Sequence, residues 1–238
     1  MLYLIGLGLD DESDLSLKAI DAMKSCNKIY CEMYTGKWHG DLKKLEEMTD
    51  KKIELLDREK VESDFLINEA QKDVIVLLIP GDPLTATTHF ELLIEAKKQG
   101  IDFRVIHSSS IYTAIAESGL QLYKFGRTTT LVYTEQGYEP SSPFDIIKEN
   151  KKAGLHTLVL LDIKNKSMTV KEAVELLLNH SAVNNDEKIV ACSQLGSEKQ
   201  IIRYDLASGL LKDFPVPSVI LIPGKLNFKE QEALKLWK

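Results

Sequence analysis

The chain has 238 residues, of which 44% are hydrophobic and 28% charged, with 36 acidic side chains against 30 basic ones. This is ordinary globular composition, and it excludes disordered and collagen-like chains. The excess of acid argues against a broad nucleic-acid-binding face, because such faces are basic. Three cysteines, Cys26, Cys31 and Cys192, are too few and too scattered for a disulfide framework or a metal motif. They read as reduced, packed thiols, and no metal is expected. The opening residues carry no basic leader, and no apolar run approaches the roughly 20 residues that span a bilayer. The expectation is a cytoplasmic protein with no membrane partner. At this length about 72% of the unfolded chain's surface is expected to be buried on folding, enough for one large core or two smaller ones.

In chain order, residues 2–7 read as a buried strand and 15–24 as an amphipathic helix with Leu15, Ala19, Ile20 and Met23 on one face. Strands are predicted at 28–32 and 52–56, a short helix at 42–48, and a longer polar helix over 59–72. The run DVIVLLIP at 73–80 is the most hydrophobic of the first half, as a central parallel strand covered on both faces requires. Thr88 and Glu91 have capping-box spacing for a helix running to Lys98, and residues 101–106 form the next strand. Regular alternation of strand and helix predicts a parallel sheet with helices on its faces.

After Leu120 the pattern changes. Strands are predicted at 128–133, 155–163 and 218–222, with an antiparallel pair at 188–192 and 200–204 around Gly196. Ser142-Pro143 opens a helix at 144–152, and Thr169/Glu172 and Asn227/Glu230 each have capping-box spacing before a further helix. The fold class is therefore α/β with two α/β domains. The N-terminal one (1–112) carries a mainly parallel sheet and the C-terminal one (113–238) a mixed sheet, with the boundary inside 108–120 and a ligand cleft expected between them.

Three segments at predicted strand ends carry polar groups suited to chemistry. Gly6-Leu7-Gly8 begins like a dinucleotide fingerprint, but Asp11 stands where the third glycine belongs, with Glu12 and Asp14 following. A pyrophosphate there would face several carboxylates, so the ligand is uncharged or cationic, or the glycines simply make a tight turn. Gly81-Asp82-Pro83-Leu84-Thr85 follows the most apolar strand, where an aspartate can accept ribose hydroxyls or attract a cation, or bond its own turn. His107-Ser108-Ser109-Ser110 lacks the nucleophile-elbow pattern, and the serines read as helix caps. Tyr112, Tyr123 and Phe125 form an aromatic group that either packs or holds a cationic ligand by its ring faces. Physical reading alone stops at a ligand held by two α/β domains.

The segments CEMYT (31–35), IPGDPL (79–84), ATTH (86–89), IHSSSIY (106–112), YKFG (123–126), GLHTLVLLDIK (154–164) and VILIPGKL (219–226) together resemble the diphthine synthase family. This family lies within the tetrapyrrole-methylase-like group of S-adenosylmethionine-dependent methyltransferases, and the matching segments span nearly the whole chain. The resemblance implies a homodimer of two-domain subunits that binds S-adenosylmethionine and releases S-adenosylhomocysteine. By position it implies donor contacts at Leu9, Asp82, Thr85, Ser110, Ile111, Leu161, Leu195 and Ser218. Leu195 departs from the pattern in being larger than the turn residue expected there. The implied acceptor is the amino group of the 3-amino-3-carboxypropyl histidine of translation elongation factor 2, giving diphthine in diphthamide biosynthesis. No nucleic acid is an expected partner, and no residue is singled out as catalytic base. Two alternatives are a methyltransferase of the same scaffold acting on a tetrapyrrole or corrinoid, and a non-catalytic module that only binds the donor.

Overall fold

Five apolar runs of the first half form one parallel sheet, in the order β3-β2-β4-β1-β5. The strands are β1 (Leu2–Gly6), β2 (Lys28–Glu32), β3 (Ile53–Leu56), β4 (Ile75–Ile79) and β5 (Phe103–Ile106). The computed structural model describes residues 1–134, 140–164 and 166–238. All five residues of β4 are buried, and its side chains alternate between two cores. Ile75, Leu77 and Ile79 join Leu66, Ile67, Ala70, Leu92, Leu93 and Ala96 on one face. Val76 and Leu78 join Ala19, Ala22, Met23 and Leu45 on the other. The period of two along a strand thus divides one continuous apolar run between two helical layers. The first layer is α4 (Phe65–Lys72) with α5 (Phe90–Lys98), the second α1 (Leu17–Ser25) with α2 (Leu42–Thr49).

Two expected helices form differently. The helix anticipated over 59–72 is broken into α3 (Arg58–Val61) and α4. Asp57 Oδ1 accepts the Lys60 amide at 2.8 Å and Ser63 Oγ accepts the Phe65 amide at 3.2 Å, so side chains take backbone groups that a continuous helix would pair. The capping box at Thr88 does not form. α5 starts at Phe90 behind His89, which makes no side-chain cap, because the His89 ring is drawn into the interior and only 3% of the residue is exposed.

The chain separates into two compact units, Met1–Tyr112 and Thr113–Lys238, with the short α6 (Ile111–Ala114) at the junction. The second unit has a mixed sheet in the order β6-β7-β10-β8-β9. Its strands are β6 (Thr129–Leu131), β7 (Thr157–Leu161), β8 (Lys188–Ser193), β9 (Ile201–Leu206) and β10 (Ser218–Ile222). Only the β6–β7 pair is parallel. Its core joins residues of β7, β8 and β10 to α7 (Ser142–Ala153) and α8 (Val170–Asn179), including Ile147, Val159, Val174, Leu177, Ile189 and Ile220. The expected capping boxes at Thr169/Glu172 and Asn227/Glu230 are both formed, the second opening α9 (Phe228–Ala233). Among the described residues no helix is long and apolar enough to cross a membrane.

Candidate active site

The strand order of the first unit identifies where a ligand belongs. β1 and β4 are neighbours, yet the chain leaves β1 toward β2 and the β3 edge, and leaves β4 toward β5 at the opposite edge. Such a reversal opens a crevice at the carboxyl ends of the two strands, which is the general ligand position in open α/β sheets. The loops that meet there are 7–10, 80–85 and, from β5 beside β1, 107–110.

These loops are knitted together by short polar contacts. Gly8 and Gly81 exchange backbone hydrogen bonds of 3.1 and 2.8 Å across the crevice. Gly8 lies at φ +80°, and a Cβ there would sit 2.7 Å from Asp14 Oδ2, so glycine is required twice over. Asp14 Oδ2 accepts the amides of Leu9 at 2.8 Å and Asp10 at 2.9 Å. In a dinucleotide fold, amides of this loop face phosphate; here a carboxylate of the chain itself holds them. The Leu9 and Asp10 amides are therefore already paired within the loop, which closes as the tight turn that was one reading of its glycines.

Asp82 is the hub of the second loop. Its buried carboxylate accepts from the Leu84 amide at 3.0 Å and Thr85 Oγ1 at 3.2 Å through Oδ1. Through Oδ2 it accepts from His107 Nδ1 at 2.7 Å and the Ser108 amide at 3.3 Å. All four acceptor positions of a carboxylate are thus used, and the turn after β4 is tied to the turn after β5. Ala86, at φ +57°, holds a left-handed conformation just beyond this hub. Leu9 and Thr85 are half-buried, Ser110 is buried at the end of the third loop, and Ile111 begins α6. The first unit thus brings Leu9, Asp82, Thr85, Ser110 and Ile111 to the carboxyl ends of β1, β4 and β5.

A second buried polar cluster follows β2 in the same unit. Glu32, with no exposed surface, accepts the amides of Tyr34 at 2.9 Å and Thr35 at 3.0 Å and the Thr35 hydroxyl. His89 Nδ1 pairs with Thr87 Oγ1 at 2.5 Å and its Nε2 with the Tyr34 hydroxyl at 3.3 Å. Burial pushes the Glu32 carboxyl up and the His89 imidazole down, to about 4, so His89 is neutral at physiological pH. Tyr34 and His89 face a cavity of about 380 Å³ whose wall also includes Ile67, Leu92, Glu62 and Glu95.

In the second unit, Leu161 ends β7, Leu195 lies buried in the turn between β8 and β9, and Ser218 opens β10. Ser218 Oγ donates to the Pro215 carbonyl at 2.7 Å and accepts from Ser193 Oγ at 2.8 Å, so this hydroxyl is committed to its own neighbourhood. A fully buried pair lies nearby in sequence. His156 Nε2 donates to Glu230 Oε1 at 2.8 Å, and its Nδ1 accepts the Gly224 amide at 2.8 Å. Glu230 also pairs with Lys124 and accepts the amides of Asn227 at 2.9 Å and Gln121 at 3.1 Å. Burial opposes its charge, but Lys124 and the other donors prevail and hold the carboxyl at about 2. Phe125 packs edge-on against His156, with centroids 5.3 Å apart, which gives it a structural place. Tyr112 and Tyr123 are exposed. All three cysteines are free and buried, and burial raises each thiol's pKa, so none is a ready nucleophile. Among the described residues no group of three His, Cys, Asp or Glu side chains is placed to hold a metal ion.

Comparison with known proteins sharpens this picture. Residues 1–208 match the family model of Tetrapyrrole (Corrin/Porphyrin) Methylases. The diphthine synthase of Methanococcus aeolicus is 45% identical over 249 residues, covering 99% of this chain and 97% of that one. The diphthine synthase of Methanocaldococcus jannaschii is 45% identical over 251 residues, covering 99% and 98%. The chain belongs to the diphthine synthase family. A crystal structure of a diphthine synthase superposes with a TM-score of 0.92 at 34% identity, covering 100% of this chain and 96% of that one. A crystal structure from Entamoeba histolytica gives the same TM-score at 36% identity, covering 100% and 98%. In this family member the segments GDPL and IHSSS fall on the loops after β4 and β5, beside the crevice.

Sequence reading missed three features of these sites. Asp14 appears in it only as a repelling charge, whereas it is the partner of the Leu9 and Asp10 amides. The Asp82–His107 and His156–Glu230 pairs join residues 25 and 74 positions apart. No pattern in one sequence offered a signal for either pair, because each depends on which elements lie side by side in the fold.

Proposed function

We propose that this methyltransferase of the diphthine synthase family takes its methyl groups from S-adenosylmethionine and releases S-adenosylhomocysteine. The acceptor is the amino group of the 3-amino-3-carboxypropyl histidine of translation elongation factor 2, and the product is diphthine. The observation that carries this reading is full-length identity of 45% to named diphthine synthases, with the family's motif segments on the loops of a topological switch point. The donor's sulfonium supplies a good leaving group, so the protein has to align and desolvate more than activate.

The donor's chemistry suits the loops. S-adenosylmethionine has no phosphate, and the loop amides a phosphate would need are held by Asp14. Its positive charge suits surroundings rich in carboxylates. On the first unit we assign donor contacts to Leu9, Asp82, Thr85, Ser110 and Ile111, and on the second to Leu161, Leu195 and Ser218. The Asp82 carboxylate, already bonded by its own loops, also holds the turn at 83–85 and the Ser108 turn in register. We further take the two units as the protein's two domains, and place the protein in the cytoplasm as a homodimer.

The test is transfer of isotope-labelled methyl groups from S-adenosylmethionine to purified elongation factor 2. Label should enter factor that carries the aminocarboxypropyl histidine and not factor with an unmodified histidine. Label entering neither protein, with donor binding intact, would redirect the search to another acceptor.

A further inference from the structure

We infer that His107 is the base that takes the proton from the acceptor amine before each methyl transfer. The inference rests on the proposed function above and assigns a residue that reading leaves open. His107 follows β5, next to the switch-point loops. Its Nδ1 stands 2.7 Å from Asp82 Oδ2, and a carboxylate can only accept, so Nδ1 carries the hydrogen. The lone pair is then left on Nε2, which has no partner among the described residues, and 67% of the side chain is exposed. Asp82 is itself fixed by the Leu84 and Ser108 amides and the Thr85 hydroxyl, so the ring is held by a group that cannot easily turn away. One nitrogen fixed by a buried carboxylate and the other open to solvent is the arrangement a proton acceptor needs.

Amine methylation requires such a group repeatedly. An ammonium has no lone pair, so R–NH₃⁺ must first give a proton to His107 Nε2. The free amine's electron pair then forms the C–N bond, the C–S bond of the donor breaks, and its electrons stay on sulfur. The product R–NH₂CH₃⁺ is again protonated and must lose a proton before any further transfer. His107, exposed as it is, passes each proton to water and returns to its neutral form. In the proton transfer Asp82 is a positioning residue that acts through the imidazole, in addition to holding its own loops.

The test compares wild type with His107→Asn and His107→Ala. Asparagine's amide N–H replaces the Nδ1 donor to Asp82 and lacks the basic nitrogen. The expected result is S-adenosylhomocysteine affinity within about twofold of wild type and turnover reduced about 10²-fold or more. Under-methylated acceptor should accumulate in His107→Asn, and the His107→Ala rate should rise with added imidazole. Wild-type turnover in His107→Asn would overturn the assignment. So would a parallel loss of donor affinity, which would make His107 a donor contact, or a slow variant with neither imidazole rescue nor a changed methyl distribution. Failure of the wild-type protein to bind S-adenosylhomocysteine or methylate the acceptor would instead strike the reading beneath.

Discussion

The two units each contain a histidine paired with a carboxylate at nearly the same distance, 2.7 Å for His107–Asp82 and 2.8 Å for His156–Glu230. In the second pair both side chains are fully buried, whereas the His107 side chain is 67% exposed. Each nitrogen of His156 is engaged, one by Glu230 and one by the Gly224 amide. His107 keeps one nitrogen open. The same two functional groups therefore stand in different settings: closed, they fasten the C-terminal helix to the start of β7, and open, they leave one imidazole nitrogen to solvent, the arrangement from which a base is proposed.

The largest effect is expected from breaking the closed pair. Glu230→Ala would leave the partly buried Lys124 ammonium with only the Lys225 carbonyl, and the His156 N–H and two backbone amides without their acceptor. A loss of about 3–5 kcal/mol in urea unfolding is expected, since removing one partner of a buried charged network strands the other. The pair should also set the acid limit of stability. Glu230 sits at about 2 in the folded protein against 4.5 as a free side chain. A depressed carboxyl contributes stability that is present above the unfolded value and lost as pH falls through the folded one. The contribution, about 3 kcal/mol, should therefore disappear between about pH 4.5 and 2. Burial depresses His156 and His89 as well, the latter to about 4. Their loss has the same sign and begins near pH 6.5, where the unfolded imidazoles take up protons. Unfolding midpoints measured from pH 7 down to 2 should fall throughout, and Glu230→Gln should flatten the lower part of that curve.

A smaller effect is expected where the platform of the open pair is disturbed. Gly8→Ala forces a side chain onto a left-handed backbone and against Asp14, at about 1–3 kcal/mol. It should also weaken S-adenosylhomocysteine binding, which titration calorimetry would show. Least of all, His107→Asn should change stability by less than about 0.5 kcal/mol. The exposed Arg127–Glu149 pair, at 3.3 Å, should behave alike when either partner becomes alanine. A large stability loss in His107→Asn would erase the distinction between the two pairs.

The contrast also marks what one sequence can convey. Alternating strands and helices, the buried run of β4 and the boxes at Thr169/Glu172 and Asn227/Glu230 were readable because each depends on neighbours in the chain. The box at Thr88 failed because its neighbour His89 is pulled into a pocket made by Tyr34 from β2's loop, a tertiary contact that local spacing does not report. Asp82 drew notice by its place after an apolar strand, and the turn bonded to its own carboxylate was foreseen as one of its readings. Its second attachment to His107 depends on β1 alone separating β4 from β5, and strand order is not written in the periodicity. The Glu230 capping box was legible, yet the same carboxylate's grip on His156 and Lys124 was not.

The proposed transfer of methyl groups onto an amine is tested most directly by mass spectrometry of the acceptor-histidine peptide. Elongation factor 2 bearing the aminocarboxypropyl histidine would be incubated with the protein and S-adenosylmethionine, and with Asp82→Ala in parallel. The expected result is a gain of whole methyl masses on that peptide, counted directly and absent with Asp82→Ala. An unchanged peptide mass, with the protein folded and S-adenosylhomocysteine bound, would contradict it.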